Sequence, residues 1–509
     1  MPNWSYQSGL TTGSAAEFIA TIPSAPPRPW PQSCFGLEAT SLCEIIVSTL
    51  LSNSPERRDV MFHLHSQTNP RRHEITGPLI VTHGEGVHVF DNHGKRYIEA
   101  MAGLWCTSLG FSNERLKRAA AEQYDKIGFY HTFNHKTPDV VIDLAEQLVA
   151  HSPIPNARAY FATSGSEAIE TMVKLAWVYH AAQGEPQRRK IITRDRAFHG
   201  STVVAGSMCG LPRMHREFGL PLPGFLYTLC PDPYRNKLPG ETDAAFVARL
   251  AAELERLILA EGPDTIAAFV AEPINAGGGI VVPPEGYFAA IQAVLKRHGI
   301  LCLADEIVCG FGRTGNWFGC ETVSMQPDMM ALAKGLSSSY FPISAVLLSE
   351  PVYTALGKVN EQGTLFGHGF TNSGHPVGAA VALETLRIYE EMDLVAHVRR
   401  MGARLRARLD DIAAGSAIVG QVRGAGLMLG VELVANPADG TPFPAAAGVG
   451  ARIDEGALEN GLIIRAMGDI IGFCPPLIVT EADIDEMTSK FADTLRQVER
   501  TLTPDRQVA

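Results

Sequence analysis

Two things are missing from the spacing of this 509-residue chain. Its nine cysteines contain no C-x-x-C, and its 16 histidines contain no H-E-x-x-H, so no metal centre is indicated. His63-Leu64-His65 is the nearest approach to a ligand pair, and two surface histidines account for it. An odd number of scattered cysteines makes no disulfide framework and fits a reducing, cytoplasmic compartment. No apolar run reaches the length of a bilayer span; Ile45 to Leu51 is short and preceded by Glu44. With a formal charge of −11 and no stripe of basic and aromatic residues, the chain has no nucleic-acid surface. What it has is 46% hydrophobic residues, enough for a large core and more than one domain.

Residues 1–60 are rich in Ser, Pro and Ala, with Pro23-Ser24-Ala25-Pro26-Pro27-Arg28-Pro29 at their centre, and read as a disordered extension or a leader. From Met61 the texture is that of a folded protein. Strands are expected at Val87–Phe90, Arg96–Glu99, Ala159–Thr163, Lys190–Thr193, Ile266–Val270, Leu301–Ile307 and Ile343–Leu348. Helical patterns stand between them, as at Ala168–Gln183, Asp243–Ala260 and Phe288–His298. This alternation predicts an α/β fold with a mostly parallel sheet covered by helices. The rhythm changes after about residue 395, ending in a helix at Glu481–Leu502. The expected division is a large domain, 106–379, and a smaller α+β domain made of 61–105 and 380–509 together.

Two stretches carry chemistry. Leu301–Ile307 is a buried-strand pattern that delivers Asp305 and Glu306 at its carboxyl end, and Met329–Ala333 delivers Lys334 in the same way. A lysine alone at a strand end is usually a snorkelling surface residue. Paired with an acid at a neighbouring strand end, it fits a Schiff-base site for pyridoxal phosphate: an amine for the aldehyde and a carboxylate for the ring nitrogen. Ser164-Gly165-Ser166-Glu167-Ala168 is a small-residue turn between strand and helix, a weak anion-cradle signal by itself. Neither it nor Gly277-Gly278-Gly279 has the spacing of a nucleotide loop.

Together with Phe198-His199-Gly200, Glu272-Pro273, Gly310-Phe311-Gly312-Arg313-Thr314-Gly315, Ala333-Lys334-Gly335 and Ser373-Gly374-His375-Pro376, these motifs resemble the class III aminotransferases. Within them the resemblance is to the ω-amino acid or amine:pyruvate group, from about Met61 to the end of the chain. It implies fold type I, with a seven-stranded-type sheet and pyridoxal 5′-phosphate as cofactor. It implies Lys334 as Schiff-base lysine and proton carrier, Asp305 on the pyridinium, and Ile307 behind the ring. Gly165 and Ser166 would hold the phosphate, Phe198 would stack on the ring where many relatives have Tyr, and His199 and Glu272 would complete the cofactor site. Thr371 would reach the phosphate of the neighbouring subunit, making the active unit a homodimer or a tetramer built from one.

For the substrate, a small amine and a keto acid, the resemblance implies apolar walls at Trp105 and Phe129 and a mobile carboxylate-binding Arg465. Asn372 stands where many members have tyrosine. Relatives acting on acetylornithine, ornithine or 4-aminobutyrate usually carry arginine after the His-Gly, and Ser201 stands there instead. The reading is a transaminase moving an amino group from an ω-amino acid or primary amine to pyruvate by a ping-pong route. A same-fold alternative is an aminomutase of the glutamate-1-semialdehyde type or a dialkylglycine decarboxylase. An inactive binding paralogue is disfavoured by the intact Lys334 and Asp305.

Overall fold

The computed structural model describes residues 53–360 and 365–502, so the extension expected at 1–60 lies largely outside the described residues. The chain divides into two compact units at Ile80/Val81. In the first, a helix at Pro55–Phe62 is capped by the Ser54 hydroxyl, and a second at Pro70–Thr76 is capped by the Asn69 side chain. Met61, where the sequence texture changes, falls inside the first of these helices.

The second unit is built on a seven-stranded sheet. Its strands are β4 (Arg158–Ala162), β5 (Lys190–Arg194), β6 (Phe225–Thr228), β7 (Ile266–Ala271), β8 (Leu301–Asp305), β9 (Met329–Leu332) and β10 (Ser344–Leu348), numbered after three N-terminal strands. They lie in the order β4-β10-β9-β8-β7-β5-β6. Neighbours from β9 to β6 pair in parallel, while β10 runs antiparallel to both β4 and β9. Strands β7 to β10 are buried along their whole length, which is why they read as unbroken apolar runs. Helices Gly165–Ala182, Asp243–Glu261 and Tyr287–Arg297 carry apolar faces that cover the sheet, and Pro376–Glu391 packs on the helices Glu114–Lys126 and Asp139–His151.

Two four-stranded sheets complete the unit. Strands β1 (Val81–Glu85), β2 (His88–Asp91) and β3 (Arg96–Glu99) form one with β13 (Leu462–Ile463), joining distant parts of the chain in one layer. Strands β11 (Val419–Ala425), β12 (Met428–Leu433), β14 (Arg465–Ala466) and β15 (Ile470–Phe473) form the other, in the order β11-β12-β15-β14. The long helices Leu394–Ala414 and Glu481–Leu502 bury apolar stripes against these elements.

The last sheet grips the loop that follows β7. Arg423 on β11, 7% exposed, donates from Nε to the Gly279 carbonyl at 2.9 Å and from Nη2 to the same oxygen at 2.7 Å, and pairs with Glu432. Arg196 holds the Gly278 carbonyl from the other side at 2.9 Å. A Cβ on Gly278 would lie 2.1 Å from the Arg196 carbonyl oxygen, so no larger residue fits. Arg423→Leu strands the Gly279 carbonyl but leaves Glu432 facing Arg235. The loss is therefore that of one buried unsatisfied group, about 1–3 kcal/mol, rather than that of an isolated buried charge. Chemical denaturation should show a lower midpoint with an unchanged slope.

Candidate active site

The parallel strands end on one edge, where open α/β sheets take their ligands. Asp305 is the last residue of β8, Lys334 follows β9, Glu272 follows β7, His199 follows β5, and Gly165 opens the helix after β4.

Asp305 is held at both oxygens. Oδ1 accepts from the Ile307 N–H at 3.1 Å, and Oδ2 lies 2.7 Å from His199 Nδ1. A carboxylate only accepts, so Nδ1 carries the proton, and in the neutral ring Nε2 accepts from the Thr193 hydroxyl at 3.1 Å. All three side chains are buried, and the Thr193–His199–Asp305 chain fixes the carboxylate in one orientation.

Lys334 has a left-handed backbone, φ 48°, a conformation that a non-glycine residue holds only when its surroundings require it. Burial pushes its amine below the usual lysine range, Asp305 pulls the other way, and Arg465 adds to the push. Such an amine is more readily neutral and nucleophilic than a surface lysine.

The turn before the helix Gly165–Ala182 forms a capping box. Ser164 Oγ accepts from the Glu167 N–H at 3.2 Å, and Glu167 accepts from the Thr163 and Ser164 N–H groups. The N–H groups of Gly165 and Ser166 find no acceptor among the described residues, which leaves two donors at the positive end of a long helix. A Cβ on Gly165 would stand 2.9 Å from Ile307 Cδ1, so the glycine lets Ile307 close up behind the cradle. Ser166 Oγ accepts from the Ser201 N–H at 3.0 Å.

Glu272 is buried behind Phe198, whose N–H reaches Oε1 at 3.4 Å, while Oε2 accepts no hydrogen bond among the described residues and lies 3.8 Å from Arg194 Nη2. Burial dominates and pushes this carboxyl up to about 7, against the opposing pull of His199 and Arg194. The other acid of the Asp-Glu pair, Glu306, takes the N–H groups of Gly319 at 2.8 Å and Cys320 at 2.6 Å and serves the loop. Arg313, from the Gly-Phe-Gly-Arg-Thr-Gly motif, donates to the Leu427 and Pro475 carbonyls at 3.1 and 2.6 Å and fastens three segments together.

Trp105 is buried, in a left-handed conformation, among Met101, Ile274, Ile280, Met428 and Cys474. Arg465, on β14, is half-buried and makes no ion pair among the described residues. Burial lowers its pKa, Arg213 pushes it further the same way, and Asp454 opposes them. Phe129 and Thr371 are exposed on the single chain, Phe129 with its ring 5.7 Å from His375. Sequence reasoning passed over Thr193, Arg194, Arg213 and the structural duty of Glu306. Their partners lie on other elements, so no spacing signals them.

These residues fit pyridoxal phosphate: two helix-end N–H donors without an acceptor among the described residues for the phosphate, a fixed carboxylate for the ring nitrogen, and a half-buried amine, its charge disfavoured by desolvation, for the aldehyde. The raised carboxyl of Glu272 has a measurable consequence. Its unfolded value is near 4.5 and its folded value about 7, so the folded state binds the extra proton between them. Stability from this group is full below about pH 4.5 and is lost as pH rises to about 7, a swing of roughly 3 kcal/mol. Urea unfolding of the cofactor-free protein at about pH 5 and pH 7.5 should show a shallower fall for Glu272→Gln than for the parent. Equal slopes would place the proton elsewhere.

Comparison with known proteins agrees with this arrangement. The family model described as aminotransferase class-III matches residues 69–495. A probable γ-aminobutyrate transaminase 3, mitochondrial, of Oryza sativa subsp. indica is 44% identical over 426 residues, covering 84% of this chain and 83% of the relative. The solved ω-transaminase of Pseudomonas jessenii in complex with PMP is 47% identical, with a TM-score of 0.87, covering 89% of this chain and all of that one. A thermostable ω-transaminase variant, altered at one tryptophan, one phenylalanine and one arginine for the synthesis of bulky amines, is 46% identical at a TM-score of 0.87, covering 88% of this chain and 100% of that one. The chain belongs to the class III aminotransferases, of fold type I, and its cofactor is pyridoxal 5′-phosphate.

Proposed function

We propose that this aminotransferase moves an amino group from an ω-amino acid or primary amine to pyruvate or a similar small keto acid, in two half-reactions that share one pocket. The observation that carries the reading is Arg465: a half-buried guanidinium with no ion pair within 4 Å among the described residues, balanced only at longer range by Asp454, and close enough to Lys334 to depress its amine. A buried cation without an anion is costly unless a ligand supplies one. A keto acid supplies a carboxylate, and the planar fork of arginine binds it at two points.

When bound, the cofactor supplies an electron sink for the carbon that loses its proton. The chain does the rest. Asp305, fixed by His199 and the Ile307 N–H, would stabilise positive charge on the ring nitrogen. Lys334 Nζ takes the proton from the amine-bearing carbon of the donor and returns it on the other side of the exchange. The helix end at Gly165 and Ser166 would hold the phosphate, and buried apolar side chains would exclude water from the carbon centre.

The relatives named γ-aminobutyrate transaminases bear on the donor. Ser201 cannot grip a distal carboxylate, but Arg465 can, so 4-aminobutyrate and β-alanine stand among the proposed donors beside uncharged amines. For the apolar wall, the altered tryptophan and phenylalanine of the engineered relative have the same separation as Trp105 and Phe133. Phe133 therefore joins Phe129 as a proposed pocket residue; its ring packs against Gly369, where a Cβ would meet it at 2.7 Å. Phe129, Tyr130, Phe133 and Leu365 leave apolar surface exposed near Thr371, which supports a dimer that covers it and shares its sites.

Arg465→Ala should lower kcat/KM for pyruvate and alanine about ten- to a hundredfold, the range of about 1.5–3 kcal/mol for a charged hydrogen bond. The half-reaction with an uncharged arylalkyl amine should change little. Equal loss in both half-reactions would make Arg465 structural. A panel of amines with pyruvate or 2-oxoglutarate tests the acceptor directly.

Asp305→Asn should keep the fold and slow proton abstraction about a hundredfold, as for roughly 3 kcal/mol of lost stabilisation. Mixing Lys334→Ala with Thr371→Ala protein under subunit exchange should restore activity in half-repaired dimers. No recovery after proven exchange would count against shared sites.

A further inference from the structure

The segment between residues 53 and 80 buries almost nothing. His73 is its one buried residue, while Met61, Phe62 and Leu64 are 58%, 80% and 80% exposed. A piece of chain with so little core needs another kind of fastening.

What it has is a cluster of polar side chains. Asp59 lies on the helix Pro55–Phe62 and His63 one turn further on, so both point from the same face. His65 follows two residues later, and His73 comes from the second helix, Pro70–Thr76. Asp59 Oδ1 is 3.1 Å from His63 Nδ1, and Oδ2 is 2.8 Å from His65 Nε2 and 3.0 Å from His73 Nε2. The His63 and His65 rings stand 4.4 Å apart, and those of His65 and His73 stand 4.2 Å apart.

We propose that Asp59, His63 and His65, with His73 as a fourth donor, bind one divalent transition-metal ion that staples the two helices of this segment. One ligand atom from each of Asp59, His63 and His65 lies within 4.8 Å of the other two. A tetrahedral ion with bonds of about 2.0–2.1 Å sets its ligand atoms about 3.4 Å apart, so small side-chain movements close the site. The donor set, imidazoles with one carboxylate, suits Zn²⁺ and its neighbours; Ca²⁺ and Mg²⁺ prefer all-oxygen sites. The arrangement also explains why three imidazoles crowd one carboxylate. A single dication can take one lone pair from each imidazole and one from the carboxylate at once. Sequence spacing could not show this, because Asp59 and His73 complete the set from either side of an unremarkable His-x-His.

The test is Zn²⁺ titration of the chelator-treated full-length holoenzyme by calorimetry, with Co²⁺ as an optical probe. One equivalent per subunit should bind to the parent beyond what the His63→Ala/His65→Ala double variant binds, and that variant should bind it more than about a hundredfold more weakly. Co²⁺ should give tetrahedral ligand-field bands in the parent and lose them in the variant. Retained cofactor absorbance confirms that the variant is folded; if it is not, His65→Gln alone, read by the same Co²⁺ bands, replaces it. Binding that is the same in parent and variant would place the ion on cysteines or elsewhere, and no binding at micromolar Zn²⁺ would leave a hydrogen-bonded cluster only. Either result overturns the proposal.

Discussion

A carboxylate and an amine share one dry corner at the ends of β8 and β9, and most of the structure serves to keep them apart in orientation and together in space. Burial acts on Lys334 by disfavouring its charged form, while Asp305 works in the opposite sense. The balance depends on where the Asp305 oxygens point. Two separate devices settle that: the Ile307 N–H on the same turn, and an imidazole braced by Thr193 from β5. The parallel sheet supplies the rest, because only strands running the same way deliver their ends to one edge.

Behind this corner lies a set of buried and half-buried arginines that hold backbone. Arg423, Arg196 and Arg313 all donate to carbonyls of glycine-rich or proline-containing loops. Such loops cannot satisfy their own backbone groups by secondary structure. A guanidinium with five donors does it from a distance, and lets the loops come close to the site without strands of their own. Among the described residues, Arg465 differs from these three in holding no backbone carbonyl.

Much of this was readable in advance. The strand ends that carry Lys334 and Asp305 were visible because both sit directly after apolar runs, and the long helix Glu481–Leu502 was bounded correctly by its polar flanks. The direction of β10 was not. Ser344–Leu348 is buried on both faces, and its apolar run looks the same whether it pairs parallel or antiparallel. Strand β6 was missed because Phe225–Thr228 is only half-buried at an edge and carries little pattern. The Thr193–His199–Asp305 chain, the Arg194–Glu272 contact and the split of labour between Asp305 and Glu306 join residues far apart in sequence. Periodicity records which side chains are buried, and it says nothing of which ones meet.

The reversed strand has a consequence of its own. Because β10 returns antiparallel, the chain needs only a short connection from Lys334 to Ser344 rather than a helical crossover. Ser344 then pairs with Ala162, and its hydroxyl donates to the Ser164 carbonyl at 2.8 Å, at the lip of the phosphate cradle. The lysine turn and the cradle are thus two ends of a single hydrogen-bonded strip. Backbone amides on β9, β10 and β4 should exchange with solvent as one cooperative unit, so an opening that exposes the lysine also dissolves the cradle. Cofactor loss and local unfolding are then expected to occur together.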